Sequence, residues 1–127
     1  MTSHAVRWFL TLGCAALLLG VVLGAFGAHA LRARLSPEMM SVWHTAELYQ
    51  FIHGLGLLAI GLIALQLGAP PLLRAAGWLM VAGIVLFSGS LYLLAASGVR
   101  WLGAITPLGG IAFIAGWLLL AIAVWRN

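Results

Sequence analysis

The sequence has no lysine, no aspartate, one cysteine and only two acids, Glu38 and Glu47, in 127 residues. Each shortage excludes something. Charged residues make up 6% of the chain, whereas soluble domains carry about 25%. A soluble fold of this length cannot hide the 65% of its residues that are hydrophobic. With no lysine and no run of arginines, nothing here reads as a nucleic-acid surface, so no nucleic-acid partner is expected. The lone Cys14 lies inside an apolar run; it can form no internal disulfide and is expected to pack as a small apolar residue. Prolines fall at Pro37, Pro70, Pro71 and Pro107, near the ends of the apolar runs.

What remains is long apolar sequence. A hydrocarbon core about 30 Å thick needs about 20 helical residues. Four runs meet that length, at about 5–28, 43–67, 72–96 and 102–125. The first ends in Ala28-His29-Ala30, which resembles a signal-peptidase site. The run before it exceeds the usual apolar length of a signal peptide, about 7–15 residues, and carries regularly spaced glycines. It therefore reads as a span. Ser36-Pro37 can cap a short helix ahead of the second span. Gly68-Ala69-Pro70-Pro71 forces a tight turn, Ser97-Gly98 closes the third span, and Thr106-Pro107 with Gly109-Gly110 bends or delays the fourth. The expected fold is an all-α integral membrane protein, a single domain over 1–127, with four helices running up-down-up-down and both termini on one side.

Small residues recur every seven positions on each run. They are Gly13, Gly20 and Gly27 (with Gly24 beside them), then Gly54 and Gly61, then Ala76, Gly83 and Ser90, then Gly109 and Gly116. Such stripes mark close helix–helix faces. A seven-residue period keeps them inward only under left-handed winding. The tryptophans mostly fall near span ends, as an aromatic belt does. Arg7, Arg74 and Arg126 lie on the terminal side and Arg32, Arg34 and Arg100 on the loop side, so charge barely orients the protein; the N-terminal amine tips it toward cytoplasmic termini.

Polar residues concentrate at one depth. His29, Glu47, Tyr49, Gln50, His53, Ser88, Ser90, Tyr92 and Thr106 all fall in the loop-side half of their spans, and the opposite half is nearly all apolar. Ionisable and amide groups are costly in hydrocarbon and need partners or water. At 100° per residue Glu47 and Gln50 flank the Gly54–Gly61 stripe and should point inward. Ser88, Ser90 and Thr106 are expected to bond to their own helix backbone. Interhelical glue is favoured over a ligand or proton site for Gln50 and His53. His29 and His53 are the available pair for axial haem ligation, though their depths differ. No H-x-x-x-H or C-x-x-C spacing occurs, so no metal and no cofactor is expected. Hydrolase and phosphate-loop motifs are absent.

Four segments carry a resemblance: G-A-F-G-A-H-A-L at 24–31, T-A-E-L-Y-Q-F-I-H at 45–53, F-S-G-S-L-Y at 87–92 and I-T-P-L-G-G at 105–110, with Gly116-Trp117 after them. Together they resemble the bacterial small membrane proteins of the domain of unknown function 423 family, related to animal transmembrane protein 256. The resemblance covers nearly the whole chain. It implies a four-span inner-membrane protein and supplies no chemistry. Its pattern falls on Gly24, Gly27, His29, Tyr49, Gln50, His53, Ser88, Gly89, Ser90, Tyr92, Thr106, Pro107, Gly109 and Gly110; Glu47 lies outside it. Three functions are compatible with these residues. The first is an accessory protein docking a membrane partner, a lipid or a second copy of itself. The second is a transporter or channel subunit with a polar pocket at His53, Glu47 and Gln50. The third is a membrane redox or lipid-modifying enzyme using His29 and His53. The first ranks highest, and the bilayer itself is the one certain partner.

Overall fold

In the computed structural model, which describes residues 3–127, four helices are long and apolar enough to cross a membrane: α1 (His4–Leu31), α2 (Pro37–Leu67), α3 (Pro71–Ser97) and α4 (Arg100–Arg126). Local chemistry sets their ends. The Ser36 hydroxyl accepts from the Met39 N–H at 3.2 Å, and Pro37 occupies the first turn, where its missing N–H costs nothing. No breaker separates Pro37 from Trp43, so the expected short helix and the second span are one helix of 31 residues. At a rise of about 1.5 Å per residue it exceeds the hydrocarbon core, and its first turns, with Glu38, reach into the headgroup region. Gly68 ends α2 at φ 74° and Gly98 ends α3 at φ 73°, left-handed geometries that suit glycine.

α-Helical geometry is broken at three places, and the first two left no signal in the sequence. α1 continues past Ala28 through a π turn at Gly27–Leu31, and α3 contains a second π turn at Ile84–Ser88. α4 opens with a 3₁₀ segment, Arg100–Ala104, and becomes α-helical at Thr106 with Pro107 in its first turn. That last feature is the delayed start which Thr106-Pro107 suggested.

The glycine stripes are the seams of two antiparallel hairpins. In the first, Leu58 lies over Gly13, Phe51 over Gly20, Trp43 over Gly27 and Leu10 over Gly61. In the second, Phe113 lies over Gly83, the Phe87 backbone against Gly109 and Met80 against Gly116. The rising number of one partner meets the falling number of the other, which makes each pair antiparallel. The hairpins join mainly through α2 and α3. Phe9 of α1 reaches Gly77 of α3, and Trp117 of α4 reaches Gly56 of α2. Those contacts align α1 with α3 and α2 with α4, giving the up-down-up-down order. The dry core lies toward the terminal side, around Phe9, Leu57, Ile60, Leu73 and Met80. Leu18, Val21, Val85, Ile111 and Ile114 face outward, as lipid-facing side chains do.

Two expectations fail. Trp43 does not belong to an exposed belt: it is 4% exposed and packs inside the α1–α2 seam. Cys14 does not pack in the core; it is exposed on the outer face of α1, because the stripe of Gly13, Ala16 and Gly20 leaves position 14 on the opposite side.

Candidate functional site

The loop-side polar residues are brought together by α2, which lies between the other helices. Gln50 is buried and bridges three of them. Its Nε2 donates to the Ala16 carbonyl of α1 at 2.8 Å, and its Oε1 accepts from the Tyr92 hydroxyl of α3 at 2.6 Å. Two turns closer to the loop side, Trp43 Nε1 donates to the Leu23 carbonyl of α1 at 3.2 Å, and its ring meets Tyr92 edge-on at 4.6 Å. Ser88 donates to the Ala46 carbonyl of α2 at 2.7 Å. Ser90 bonds to Thr106 of α4 at 2.7 Å and also donates to the Phe87 carbonyl at 2.9 Å.

This corrects the expectation for Ser88 and Thr106, whereas Ser90 makes the expected bond to its own helix backbone and adds one across. Ser88 bonds across to α2, and Ser90 and Thr106 join α3 to α4. The π turn ending at Ser88 places that hydroxyl against α2; π turns often mark such irregular, side-chain-directed points.

His53 occupies a separate niche between α2 and α4. Its Nδ1 lies 2.7 Å from the Tyr49 carbonyl. A carbonyl only accepts, so the proton sits on Nδ1 and Nε2 carries the lone pair. The ring stacks on Phe113 with centroids 3.4 Å apart and 10° between planes, and Tyr49 and Trp117 flank it at 5.7 and 5.9 Å.

Glu47 carries the one sealed side-chain atom left without a partner among the described residues. Its carboxylate lies against Gly24 and Gly27 of α1. Oε2 is 3.5 Å from His44 Nδ1, and Oε1 is buried with no hydrogen-bond partner among the described residues. His29 does not join the cluster. It is exposed on the π turn of α1. By the α1–α2 register it stands level with the first turns of α2, roughly 18 Å along the axis from His53, so the two histidines form no ligand pair. No group of three or more His, Cys, Asp or Glu that could hold a metal ion occurs among the described residues. At the surface, Arg100 and Glu38 lie 3.7 Å apart and link the starts of α4 and α2.

The family description "Protein of unknown function (DUF423)" matches residues 23–110. The chain belongs to that family. It is 54% identical to a UPF0382 membrane protein of Staphylococcus epidermidis, over 95% of this chain and 98% of that one. It is 49% identical to the UPF0382 membrane protein YwdK of Bacillus subtilis, over 93% of this chain and 96% of that one. A UPF0382 membrane protein of Staphylococcus haemolyticus is 49% identical over 95% of this chain. No solved structure matches. The DUF423 match contains every residue of the interhelical network except Ala16, whose part is a backbone carbonyl. It stops before Phe113 and Trp117, the α4 side of the His53 niche.

Sequence reasoning missed Trp43, Phe113, Trp117, Gly56 and Gly77 as contributors. A signal for Trp43 was present: at 100° per residue it shares the face of Gln50 and Gly54. The aromatic niche had no such signal, because its walls come from two helices distant in sequence.

Proposed function

We propose that this chain is an accessory protein of the bacterial inner membrane, with both termini in the cytoplasm, that docks a larger membrane protein or a lipid through its lipid-facing surface. The observation that carries this reading is the internal use of the polar cluster. Gln50, Ser88, Ser90, Thr106, Tyr92 and Trp43 satisfy one another or neighbouring backbone across helices. Such bonds hold membrane helices in register at about 0.6 kcal/mol each, rarely above about 1.7. The cluster then acts as the frame of a rigid surface, and recognition falls to the outer faces. A cleft of about 190 Å³ between α1 and α3, apolar except for Gln50, is one such face. The relatives' printed names, membrane proteins all, agree with the location.

The test is native mass spectrometry of the protein released gently from its own membrane. A defined extra mass, lost in His53→Ala or in variants of the α1–α3 cleft, supports docking. A bare monomer under every mild condition overturns it.

The transporter reading draws on Glu47 alone, with its orphaned oxygen and its His44 neighbour on the loop side. That reading requires Glu47→Gln to abolish a proton-coupled flux in proteoliposomes. The enzyme reading loses its residue pair, since His29 and His53 lie apart.

A further inference from the structure

The niche around His53 offers one feature that the interhelical network does not use. Tyr49 and Trp117 are 36% and 40% exposed, while His53 between them is 5% exposed. Phe113 backs the ring. The imidazole is therefore recessed between two lipid-facing aromatic rings, Tyr49 one turn toward the loop side and Trp117 one turn toward the terminal side. The Nδ1–H is committed to the Tyr49 carbonyl, so Nε2 presents a lone pair. Nε2 has no protein partner among the described residues, yet the sealed, unpartnered side-chain atom of the structure is Glu47 Oε1 and not this one. Nε2 thus keeps an opening to the surface. Beyond Trp117, toward the terminal side, a groove of about 470 Å³ runs along α4 from Trp117 to Trp125, lined by Leu120, Ala121 and Val124 and by Ile63 of α2.

These parts specify a ligand. A lone pair accepts and does not donate, so the ligand must bring an O–H or N–H. The exposed rings of Tyr49 and Trp117 on either side of the imidazole favour a planar ring, which stacks or packs edge-on. The apolar groove, open to lipid, suits an alkyl or prenyl chain. A carbonyl in the same place would face the lone pair without a shared proton, and the tautomer that could donate is held off by Tyr49. We propose that the His53 niche binds the head group of a lipophilic hydroquinone, with a phenolic O–H donating to Nε2 and the tail lying in the α2–α4 groove, in preference to the corresponding quinone. The proposal concerns binding and includes no electron transfer. It deepens the docking reading by naming a lipid-soluble occupant for one outer face, and rests on that reading only to this extent.

The experiment uses the full chain in lipid nanodiscs with His4→Gln, His29→Gln and His44→Gln, three exposed positions, so that His53 is the sole histidine. With ¹⁵N-labelled histidine, the Nε2 resonance is followed while decylhydroquinone, decylbenzoquinone, decanol or decylbenzene is added. The expected result is an upfield move of Nε2 with decylhydroquinone, and no comparable move with the other three. No response to the hydroquinone, or an equal response to the quinone or to decanol, overturns the proposal. His53→Phe keeps a stacking ring and removes the lone pair; it should weaken hydroquinone binding about tenfold. The resonance measurement decides the matter even if that variant does not fold. A protein deaf to hydroquinone that still carries a partner by native mass spectrometry removes this inference and leaves the docking reading standing. A hydroquinone-binding protein that runs without any protein partner confines docking to lipid-soluble molecules.

Discussion

Gln50 uses both ends of its amide on other helices, and this makes it the residue whose loss should be felt most widely. Gln50→Leu keeps the volume and removes two interhelical bonds at once. It leaves the Tyr92 hydroxyl without its acceptor in a dry site. The expected cost is about 1–3 kcal/mol, at the upper end of single polar contacts in membranes. Tyr92→Phe should cost less, and the double variant little more than Gln50→Leu alone, since both remove the same bond. Unfolding in mixed micelles measures all three; additive losses would show that the bond contributes nothing. Glu47 should behave in the opposite way. Its Oε1 is buried without a donor, and a charge so placed is destabilising unless paired. Glu47→Gln should therefore melt at or above the temperature of the parent protein. A marked drop in thermal stability would show that the carboxylate has a partner it needs.

The glycines decide how closely the helices approach, and they are not equivalent. A Cβ on Gly109 would come within 2.7 Å of the Phe87 Cα, and backbone cannot step aside as a side chain can. A Cβ on Gly24 would meet only Glu47 atoms at 3.7 Å or more, and one on Gly89 nothing within 4 Å. Gly109→Ala should then part α3 from α4 and cost about 1–3 kcal/mol, as overpacking does. Gly89→Ala should be neutral or slightly stabilising, because alanine favours helix. Thermal melts of the variants in one detergent rank them directly; equal melting of Gly109→Ala and Gly89→Ala would refute the steric account. At this scale the sequence was informative where its signal was periodic. The seven-residue spacing of Gly13–Gly20–Gly27 and of Gly54–Gly61 reports which faces meet, since only small residues tolerate the contact. Gly56 and Gly77 stand alone, and the side chains they admit, Trp117 and Phe9, come from helices far away in the chain. The π turns left no trace either: Gly27–Leu31 and Ile84–Ser88 have ordinary helical composition. So the depth of Ser88 was legible from its segment, but its bond to Ala46 was not.

At the scale of the whole molecule, polarity divides the bundle across its thickness. The terminal-side half is a dry core of Phe9, Leu57, Ile60 and Met80. The loop-side half holds the hydrogen-bonded cluster and, at its rim, the exposed Arg32, Arg34, Glu38 and Arg100. This arrangement places the α1–α2 turn and the α3–α4 turn on one side of the membrane, with the α2–α3 turn and the C-terminus on the other. Cysteine labelling tests it. The native Cys14 faces outward in the apolar middle of α1, where the hydrocarbon keeps it from water-borne maleimides. In intact membrane vesicles Cys14 should therefore stay unlabelled and react only after denaturation. With Cys14→Ser as background, Arg34→Cys and Val99→Cys should label together with a membrane-impermeant maleimide from one side. Gly68→Cys is avoided because of its left-handed backbone; Gln66→Cys, exposed at the end of α2, and Asn127→Cys should label from the other side. Inverted and right-side-out vesicles separate the two sets. If Arg34→Cys and Gln66→Cys label from the same side, α2 does not cross, and the four-span arrangement fails. If the sets separate as expected, the same experiment orients the protein, which three arginines on each side left nearly undecided. It also tells whether the His53 groove opens toward the leaflet that faces the cytoplasm.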